Sequence, residues 1–189
     1  MKLLKQLAVV ITTFLTLSVF YGSLLALSFI KDLPEIHSLD DYKPFLGSRM
    51  YDQNGRLIAR FSTEDREFIE VRDIPEKLQQ AFVAAEDASF FSHNGVDVIS
   101  IIRAMIANIK AGAKVQGGST ITQQVAKSFL TTEKTFKRKL KDALLAILLE
   151  LRLSKDEILY IYLNEIYLGD GAYGVQAASR RYFNKDVHE

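Results

Sequence analysis

The sequence of 189 residues predicts a mainly α-helical domain that contains a small β-hairpin near its start and follows one transmembrane helix. Three observations predict this fold class. A long uncharged apolar stretch opens the chain, an Asn-Gly pair separates two short alternating runs, and helical periodicity dominates from Pro75 onward. The length and the apolar content are those of one domain with an appendage.

The opening apolar stretch predicts a membrane anchor. Residues 7–30 contain no charged side chain, and about 20 apolar residues are enough for a helix to cross a bilayer. Because Lys2 and Lys5 precede the stretch, the positive-inside rule leaves residues 1–6 as a cytoplasmic tail and places the body outside. We expect a single-pass type II protein of the cell (inner) membrane. The alternative is a cleaved signal peptide with a site at residues 26–28, but signal peptides have shorter apolar regions, of about 7–15 residues.

The composition excludes several classes of function. The net charge is only +1, with 24 basic and 23 acidic residues, so the chain lacks the overall positive field that attracts nucleic acid. There is no cysteine, which excludes disulfides and thiolate metal sites. We therefore expect no nucleic-acid partner, and any anion site must be local.

A small strand-rich region is expected after the membrane segment. Residues 31–46 are an acidic, proline-containing connector. Asn54 and Gly55 then separate the runs Ser-Arg-Met-Tyr and Leu-Ile-Ala-Arg, which is the signal of a β-hairpin. A third strand is expected over residues 66–71.

Helical signals fill the rest of the domain, which is expected to span residues 47–189. Apolar residues recur at helical spacing after Pro75. The segment 98–110 repeats this pattern, with Asp97 as the expected N-cap and Gly112 just past the end. Its apolar stripe is most simply explained as part of the core.

The second half of the domain is predicted to be mostly helical. Ser119 is the expected cap of a short helix, and Ser154 with Glu157 fits the capping box of a later one. The predicted helices cover about residues 119–129, 136–153, 154–167 and 172–182.

Two acids, Glu86 and Asp87, end the first helix of the domain, and Phe90, Phe91 and His93 follow them. A carboxylate beside aromatic rings can be shielded from solvent, which suits it to work as a general acid or base near neutral pH. The alternative is a solvated helix end that carries two ordinary acids. His93 is expected to be structural, because nothing near it has the spacing of a metal site.

A polar run, Gly-Gly-Ser-Thr-Ile-Thr-Gln-Gln, starts at Gly117, and a cluster of basic residues follows it. It places hydroxyls and amides at a helix start, where free N–H groups favour anions. An ordinary Gly-Ser cap is the simpler explanation, although Gln123 and Gln124 are not needed for capping. The basic cluster can neutralise a diphosphate leaving group, but a solvated helix face would look similar. Its members are Lys127, Lys134, Lys137, Arg138, Lys139 and Lys141.

Together these segments resemble the motifs of a known family, the peptidoglycan glycosyltransferases, which occur as the N-terminal module of class A penicillin-binding proteins and as monofunctional enzymes. EDASFFSHNG at 86–95 resembles ED-x-x-F-F-x-H-x-G, and GGSTITQQVAK at 117–127 resembles GGSTITQQ-x-x-K. RKLKD at 138–142 resembles RK-x-x-E, and KDEIL with YLN at 155–164 resembles KxxIL…YLN. The motifs stand in the family's order, and the resemblance covers nearly all of residues 48–189.

The resemblance implies a lysozyme-like helical fold beside the membrane, with lipid II as substrate and undecaprenyl diphosphate as leaving group. Glu86 would deprotonate the acceptor sugar hydroxyl, which attacks the anomeric carbon of the growing strand and inverts it. Asp142 would be the second catalytic carboxylate, although the family usually has Glu there. Residues implied to bind sugar or phosphate groups are Asp87, Ser119, Thr120, Gln123, Gln124, Lys127, Lys134, Arg138 and Lys139.

Other consequences of the resemblance stay open at this point. The growing glycan strand and other cell wall synthesis proteins are implied partners. No cofactor is certain: a divalent cation, Mg²⁺ or Mn²⁺, is an open alternative, because metal use differs within the family. The chain ends earlier than the family's module usually does and contains no transpeptidase motif, so we expect it to be C-terminally incomplete. One alternative to a processive glycosyltransferase is a catalytically weak, membrane-anchored protein that binds glycan or lipid II, which Asp142 favours. A second alternative is a lytic glycosidase, which would not need the basic cluster.

Overall fold

A computed structural model of the chain describes residues 2–31, 33–34, 36–42, 48–61, 65–130 and 135–189. Within them the fold is mainly helical, as predicted. The helices are α1 (Lys2–Ile30), α2 (Glu76–Glu86), α3 (Val98–Ala111), α4 (Ile121–Ser128), α5 (Phe136–Glu150), α6 (Lys155–Glu165) and α7 (Val175–Phe183). The strands are β1 (Ser48–Tyr51), β2 (Leu57–Phe61), β3 (Asp65–Arg66) and β4 (Ala172–Tyr173).

Helix α1 is long and apolar enough to cross a membrane, judged by length and composition. Its segment Lys5–Ile30 has a mean hydropathy of 1.9 and is not buried against the rest of the protein. The hydroxyls of its threonines and of Ser23 donate to carbonyls about one turn earlier, so these polar groups are satisfied inside the helix. The helix predicted over residues 7–30 is confirmed, while its orientation in a membrane stays a prediction.

The predicted β-hairpin is present. Strands β1 and β2 pair antiparallel. The Asp52 carboxylate accepts the N–H groups of Asn54 and Arg56, both at 2.8 Å, and thereby closes the turn. Gly55 supplies the left-handed conformation (φ 77°) that the turn requires.

The third strand predicted over residues 66–71 is shorter than expected and pairs elsewhere. Strand β3 has two residues, and it runs parallel to β4 instead of joining the hairpin. Strand β4 occupies the start of the segment predicted as a helix over 172–182, so α7 begins only at Val175, after Gly174 (φ 80°) turns the chain. A pairing between such distant segments leaves no local pattern in a sequence.

The predicted helix ends are largely confirmed. The Asp97 carboxylate accepts the N–H of Ser100 as the N-cap of α3. Gly112 ends α3 in the left-handed region (φ 63°). Ser154 and Glu157 form the capping box of α6, in which each side chain accepts the other residue's backbone N–H.

The core lies where α4, α5 and α6 meet. Helix α4 packs against both of the other two helices. Each helix contributes aliphatic side chains that are at most 1 % exposed: Ile121, Val125, Leu145, Leu149, Ile158 and Ile161. Part of the segment predicted as a connector also enters this core, because Leu33, Ile36 and Tyr42 are buried in it.

Helix α3 lies outside this core, so the prediction that its apolar stripe is core is wrong. Ala104 alone is buried in it. Its exposed side chains include Val98, Ile99, Met105 and Ile109, at 61, 71, 55 and 71 %. The helix is anchored near its ends instead, for example where the small Gly118 lies against the backbone of Ile101. Periodicity shows that one helix face is apolar, but it does not show what covers that face.

Asn164, in α6, joins the strand region to the core. Its side chain is 1 % exposed. The amide oxygen accepts the N–H of Ile69 at 3.0 Å, and the amide nitrogen donates to the carbonyls of Ile69 and Tyr160 at 3.2 and 3.0 Å. This bridge holds the segment after β3 against α6.

Replacing Asn164 by alanine should lower the free energy of unfolding by about 2–4 kcal/mol, because it leaves buried backbone groups of Ile69 unpaired. Urea denaturation of the detergent-solubilised chain measures this loss. The control Gln80→Ala, at an exposed position of α2, should change the free energy by less than about 0.5 kcal/mol. A loss at Asn164 no larger than that of the control would contradict the bridging role.

Candidate active site

Glu86 is the last residue of α2, and its side chain is exposed. Its Oε2 accepts a hydrogen bond from Nε2 of Gln124, in α4, at 3.1 Å. Phe90 and Phe91 do not shield Glu86 as predicted, because the Glu86 side chain remains exposed. Phe90 is instead fully buried, and its ring packs edge-on against that of Phe91. Glu86 is therefore a solvent-facing carboxylate that an amide orients.

Asp87, the next residue, is 7 % exposed. Its Oδ2 accepts the N–H of Ile121, the first residue of α4, at 3.0 Å and lies 2.9 Å from Nε2 of His93. Because Nδ1 of His93 accepts the N–H of Gly95, Nε2 carries the proton and donates to Asp87. Asp87 thus ties the end of α2 to the positive end of the α4 dipole. His93 is structural, and a contact between Asp87 and substrate stays a prediction.

Thr120 caps α4, rather than the expected Ser119. Its Oγ1 accepts the N–H of Gln123 at 3.1 Å and donates to the carbonyl of Gly95 at 2.6 Å, while Oε1 of Gln123 accepts the N–H of Thr120. The prediction that Gln123 is not needed for capping is therefore wrong. The sequence signal for its capping role was the T-x-x-Q spacing, which is typical of a capping box. Ser119 is free of the cap and accepts a hydrogen bond from Nζ of Lys139 at 2.8 Å.

Arg138 and Asp142 form an ion pair one turn apart on α5. Nη1 of Arg138 lies 3.0 and 3.3 Å from the two oxygens of Asp142, which is 1 % exposed. Burial raises the pKa of the Asp142 carboxyl, while Arg138, Lys139 and Lys127 act in the opposite direction. Burial, together with neighbouring cations, lowers the pKa of Lys139, and the charge of Asp142 opposes this.

The predicted basic cluster divides in the structure. Lys127, Arg138 and Lys139 line one groove. Lys137 instead points to α1, with Nζ 5.6 Å from the centroid of the Phe29 ring. Lys134 lies outside the described residues.

Two grooves meet at the polar run. The first, of about 1120 Å³, lies between α3 and the start of α5 and contains the basic residues together with Gln124 and Asp142. The second, of about 560 Å³, is lined by Glu86, Asp87, His93 and Arg103, among others. Residues 116–119 line both grooves and form a shared wall.

Sequence reasoning missed Asn108, which supports this wall from α3. Its Oδ1 accepts the N–H groups of Val115 and Gln116 at 2.8 and 2.9 Å, and its Nδ2 donates to the carbonyl of Gln116 at 2.9 Å. An isolated asparagine on a helix carries no signal for such a role. The site can therefore accept a proton at Glu86 in one groove and hold an anion among cations in the other.

The sequence model of the transglycosylase family matches residues 54–189, which contain both grooves. The chain belongs to the transglycosylase family. Its similar relatives include penicillin-binding protein 1A of Aquifex aeolicus (strain VF5), 47 % identical over 97 % of this chain and 25 % of the relative. Penicillin-binding protein 1A of Neisseria lactamica is 47 % identical over 92 % of this chain and 22 % of its own length. Penicillin-binding protein 1F of Bacillus subtilis (strain 168) is 49 % identical over 80 % of this chain and 22 % of its own length.

These similarities confirm the predicted family and show that the chain carries a peptidoglycan glycosyltransferase domain. The chain spans about a quarter of the length of the curated relatives that it matches. Two of the motifs meet at Asp87, which accepts the N–H of Ile121. The second of these supplies Lys127 to the groove, and a third motif supplies Arg138 and Lys139.

Asp142→Asn should change how stability depends on pH. Because its pKa is raised, the Asp142 carboxyl binds its proton more tightly in the native protein than in the unfolded chain. The parent therefore loses stability as the pH rises from about 4, the ordinary pKa of aspartate, through the pKa of Asp142 in the native protein. The variant cannot titrate there. Its free energy of unfolding, minus that of the parent, should therefore increase from about pH 4 to neutrality.

Urea denaturation at a series of pH values measures this difference. The control is Gln80→Ala, at an exposed position, which removes no titrating group, so its difference should not depend on pH. A difference for Asp142→Asn that stays constant, or falls as pH rises, would contradict the effect of burial on this carboxyl.

Proposed function

We propose that the chain is a membrane-anchored peptidoglycan glycosyltransferase that polymerises lipid II into glycan strands in cell wall synthesis, by inverting transfer with loss of undecaprenyl diphosphate. The observation that carries this proposal is the placing of an exposed carboxylate, Glu86, beside a groove lined by cations, with residues 116–119 as the shared wall. The family gives the reaction class. The two grooves suggest that the acceptor sugar lies beside Glu86 and the diphosphate of the donor lies beside the cations.

Glu86 acts on the acceptor. Its carboxylate faces solvent and is oriented by Gln124, so a sugar hydroxyl can approach within the 2.6–3.2 Å or so that proton transfer needs. The proton passes from this hydroxyl to the carboxylate as the hydroxyl oxygen bonds to the anomeric carbon of the donor. The bond from that carbon to the diphosphate oxygen breaks on the opposite face, so the configuration inverts.

Lys127, Arg138 and Lys139 act on the leaving group. The diphosphate gains negative charge as its bond to the sugar breaks, and fixed cations stabilise that charge most where solvent is partly excluded. Asp142 works through Arg138, because its oxygens are buried in the ion pair. Lys134 keeps only the phosphate-binding role that the family resemblance implies.

The exposed face of α3 supports a position at the membrane surface. Among its residues only Arg103 and Lys110 are charged, and both are basic, as in helices that lie in the interface of anionic bilayers. The apolar side chains of Ile101, Met105 and Ile109 also line the groove with the cations. A diphosphate whose lipid tail stays in the bilayer could therefore reach these cations along α3.

Glu86→Gln should abolish polymer formation, because an amide cannot accept the proton. The measurement is incubation of the detergent-solubilised chain with labelled lipid II, followed by gel separation of the glycan products. The matched control is Glu76→Gln, an exposed position at the start of the same helix, which should retain at least about half of the parent's rate. Polymer from Glu86→Gln at the parent's rate would exclude Glu86 as the base.

A second candidate function is binding of lipid II or glycan with little turnover. It is favoured by the short carboxylate of Asp142, which is held by Arg138 within α5. Binding without product from the parent, and again from Asp142→Glu, would favour this candidate. Shortening of preformed glycan strands would instead indicate a lytic glycosidase.

The position of α3 can be tested by fluorescence, because the chain contains no tryptophan. Ile109→Trp places a single indole on the exposed face, and brominated acyl chains in anionic liposomes should quench it strongly, since an interfacial helix buries its apolar face about 5–10 Å deep. Phe183→Trp, on the exposed end of α7, is the control and should be quenched little. Equal quenching of both indoles would remove the support that α3 gives to a membrane position.

A further inference from the structure

The hydroxyl of Tyr162 is a buried polar group that the proposed mechanism does not use. Tyr162 lies in α6 and is 2 % exposed, and its hydroxyl oxygen has no hydrogen-bond partner among the residues that the structure describes. Buried hydroxyls are nearly always paired, because an unpaired one is destabilising. An unpaired hydroxyl in the core therefore needs an explanation.

The Tyr162 ring lies beside the end of α2. It packs edge-on against Phe82, with ring centroids 6.1 Å apart, and Glu86 follows Phe82 by one helical turn on the same face. Burial raises the pKa of the Tyr162 hydroxyl, and the negative charge of Glu86 adds to this effect. Near neutral pH the hydroxyl therefore keeps its proton and is available as a donor.

The described residues hold the exposed carboxylate of Glu86 at one oxygen only. Gln124 donates to Oε2, whereas no residue in the described part of the chain donates to Oε1. A carboxylate held at one oxygen only can rotate, and a misplacement of about 1 Å is costly for a catalytic group. A second donor would fix the side chain.

We propose that Tyr162 is a positioning residue for Glu86: its hydroxyl donates to the Glu86 carboxylate when the side chain turns towards α6, so that Tyr162 and Gln124 hold the carboxylate from two sides. The inference rests on the proposed role of Glu86 as the base. Because a donor favours the ionised form, Tyr162 keeps Glu86 ready to accept a proton at lower pH than it otherwise could.

Other charged and titratable groups face the same groove or stand close to it. Two of these groups lie in the loop after α2, two lie at the N-cap and in the first turns of α3, and one lies in α4. They are Asp87, His93, Asp97, Arg103 and Lys127. All of them are unchanged when only the Tyr162 hydroxyl is removed, so a shift in the pH profile of Tyr162→Phe reports on that hydroxyl.

The test compares the full chain with Tyr162→Phe in polymerisation of labelled lipid II across a pH series. We expect kcat to fall by about tenfold, KM to stay within about twofold, and the acid limb of the kcat/KM profile to move to higher pH. The thermal midpoint should change little, because the structure shows no hydrogen bond to this hydroxyl that the variant would lose. The matched control is Tyr160→Phe, which removes the hydroxyl of another buried tyrosine of the same helix and should leave the pH profile unchanged.

Two results would overturn the inference. One is a parent-like pH profile and kcat for Tyr162→Phe, whatever its thermal midpoint. The other is a lower kcat with an unshifted profile and a lower thermal midpoint, which would mean that the hydroxyl only supports the core.

An inactive parent chain would count against the proposed function and not against Tyr162. In that case ¹³C NMR titration of the Glu86 carboxyl decides, because it needs no turnover. A higher Glu86 pKa in Tyr162→Phe than in the parent would support the inference, and equal values would overturn it.

Discussion

The buried carboxylate of Asp87 is the contact on which the candidate site depends. It accepts a hydrogen bond from the first residue of α4 and another from His93, so it joins α2, the loop after α2 and α4 at one point. Charge-assisted hydrogen bonds of this kind are stronger than neutral ones, and here the helix dipole reinforces them. Asp87 joins the end of α2 to the start of α4, where Gln124 donates to Glu86.

The same loop is held against α5 by Gly95. Its φ of 87° lies in the left-handed region, and a Cβ atom there would stand 2.7 Å from the carbonyl oxygen of Ala146. The loop therefore approaches the backbone of α5 as closely as the chain allows. Through Thr120, which donates to the Gly95 carbonyl, the cap of α4 is fixed to that loop as well. The two grooves thus share one tightly packed corner, although their residues come from four helices.

The sequence predicted which residues gather at the site better than it predicted what each one contacts. Motif order predicted Glu86 and the cations as site residues, and helix caps such as Asp97 followed from local hydrogen-bond chemistry. Burial was harder to predict, because α3 and α6 are both rich in apolar residues, yet α6 is enclosed and α3 is exposed. The pairing of β3 with β4 and the buried hydroxyl of Tyr162 depend on contacts between distant segments, which no local pattern encodes.

The exposed face of α3 has a consequence for how the reaction rate is described. If α3 lies on a bilayer as proposed, the enzyme meets its proposed lipid-linked substrate by lateral diffusion in a plane, rather than by diffusion through a volume. The quantity that sets the encounter rate is then the number of substrate molecules per unit of membrane area. Detergent micelles dilute that surface, so a KM expressed in moles per litre would depend on the amount of detergent, whereas one expressed as a mole fraction of lipid would not.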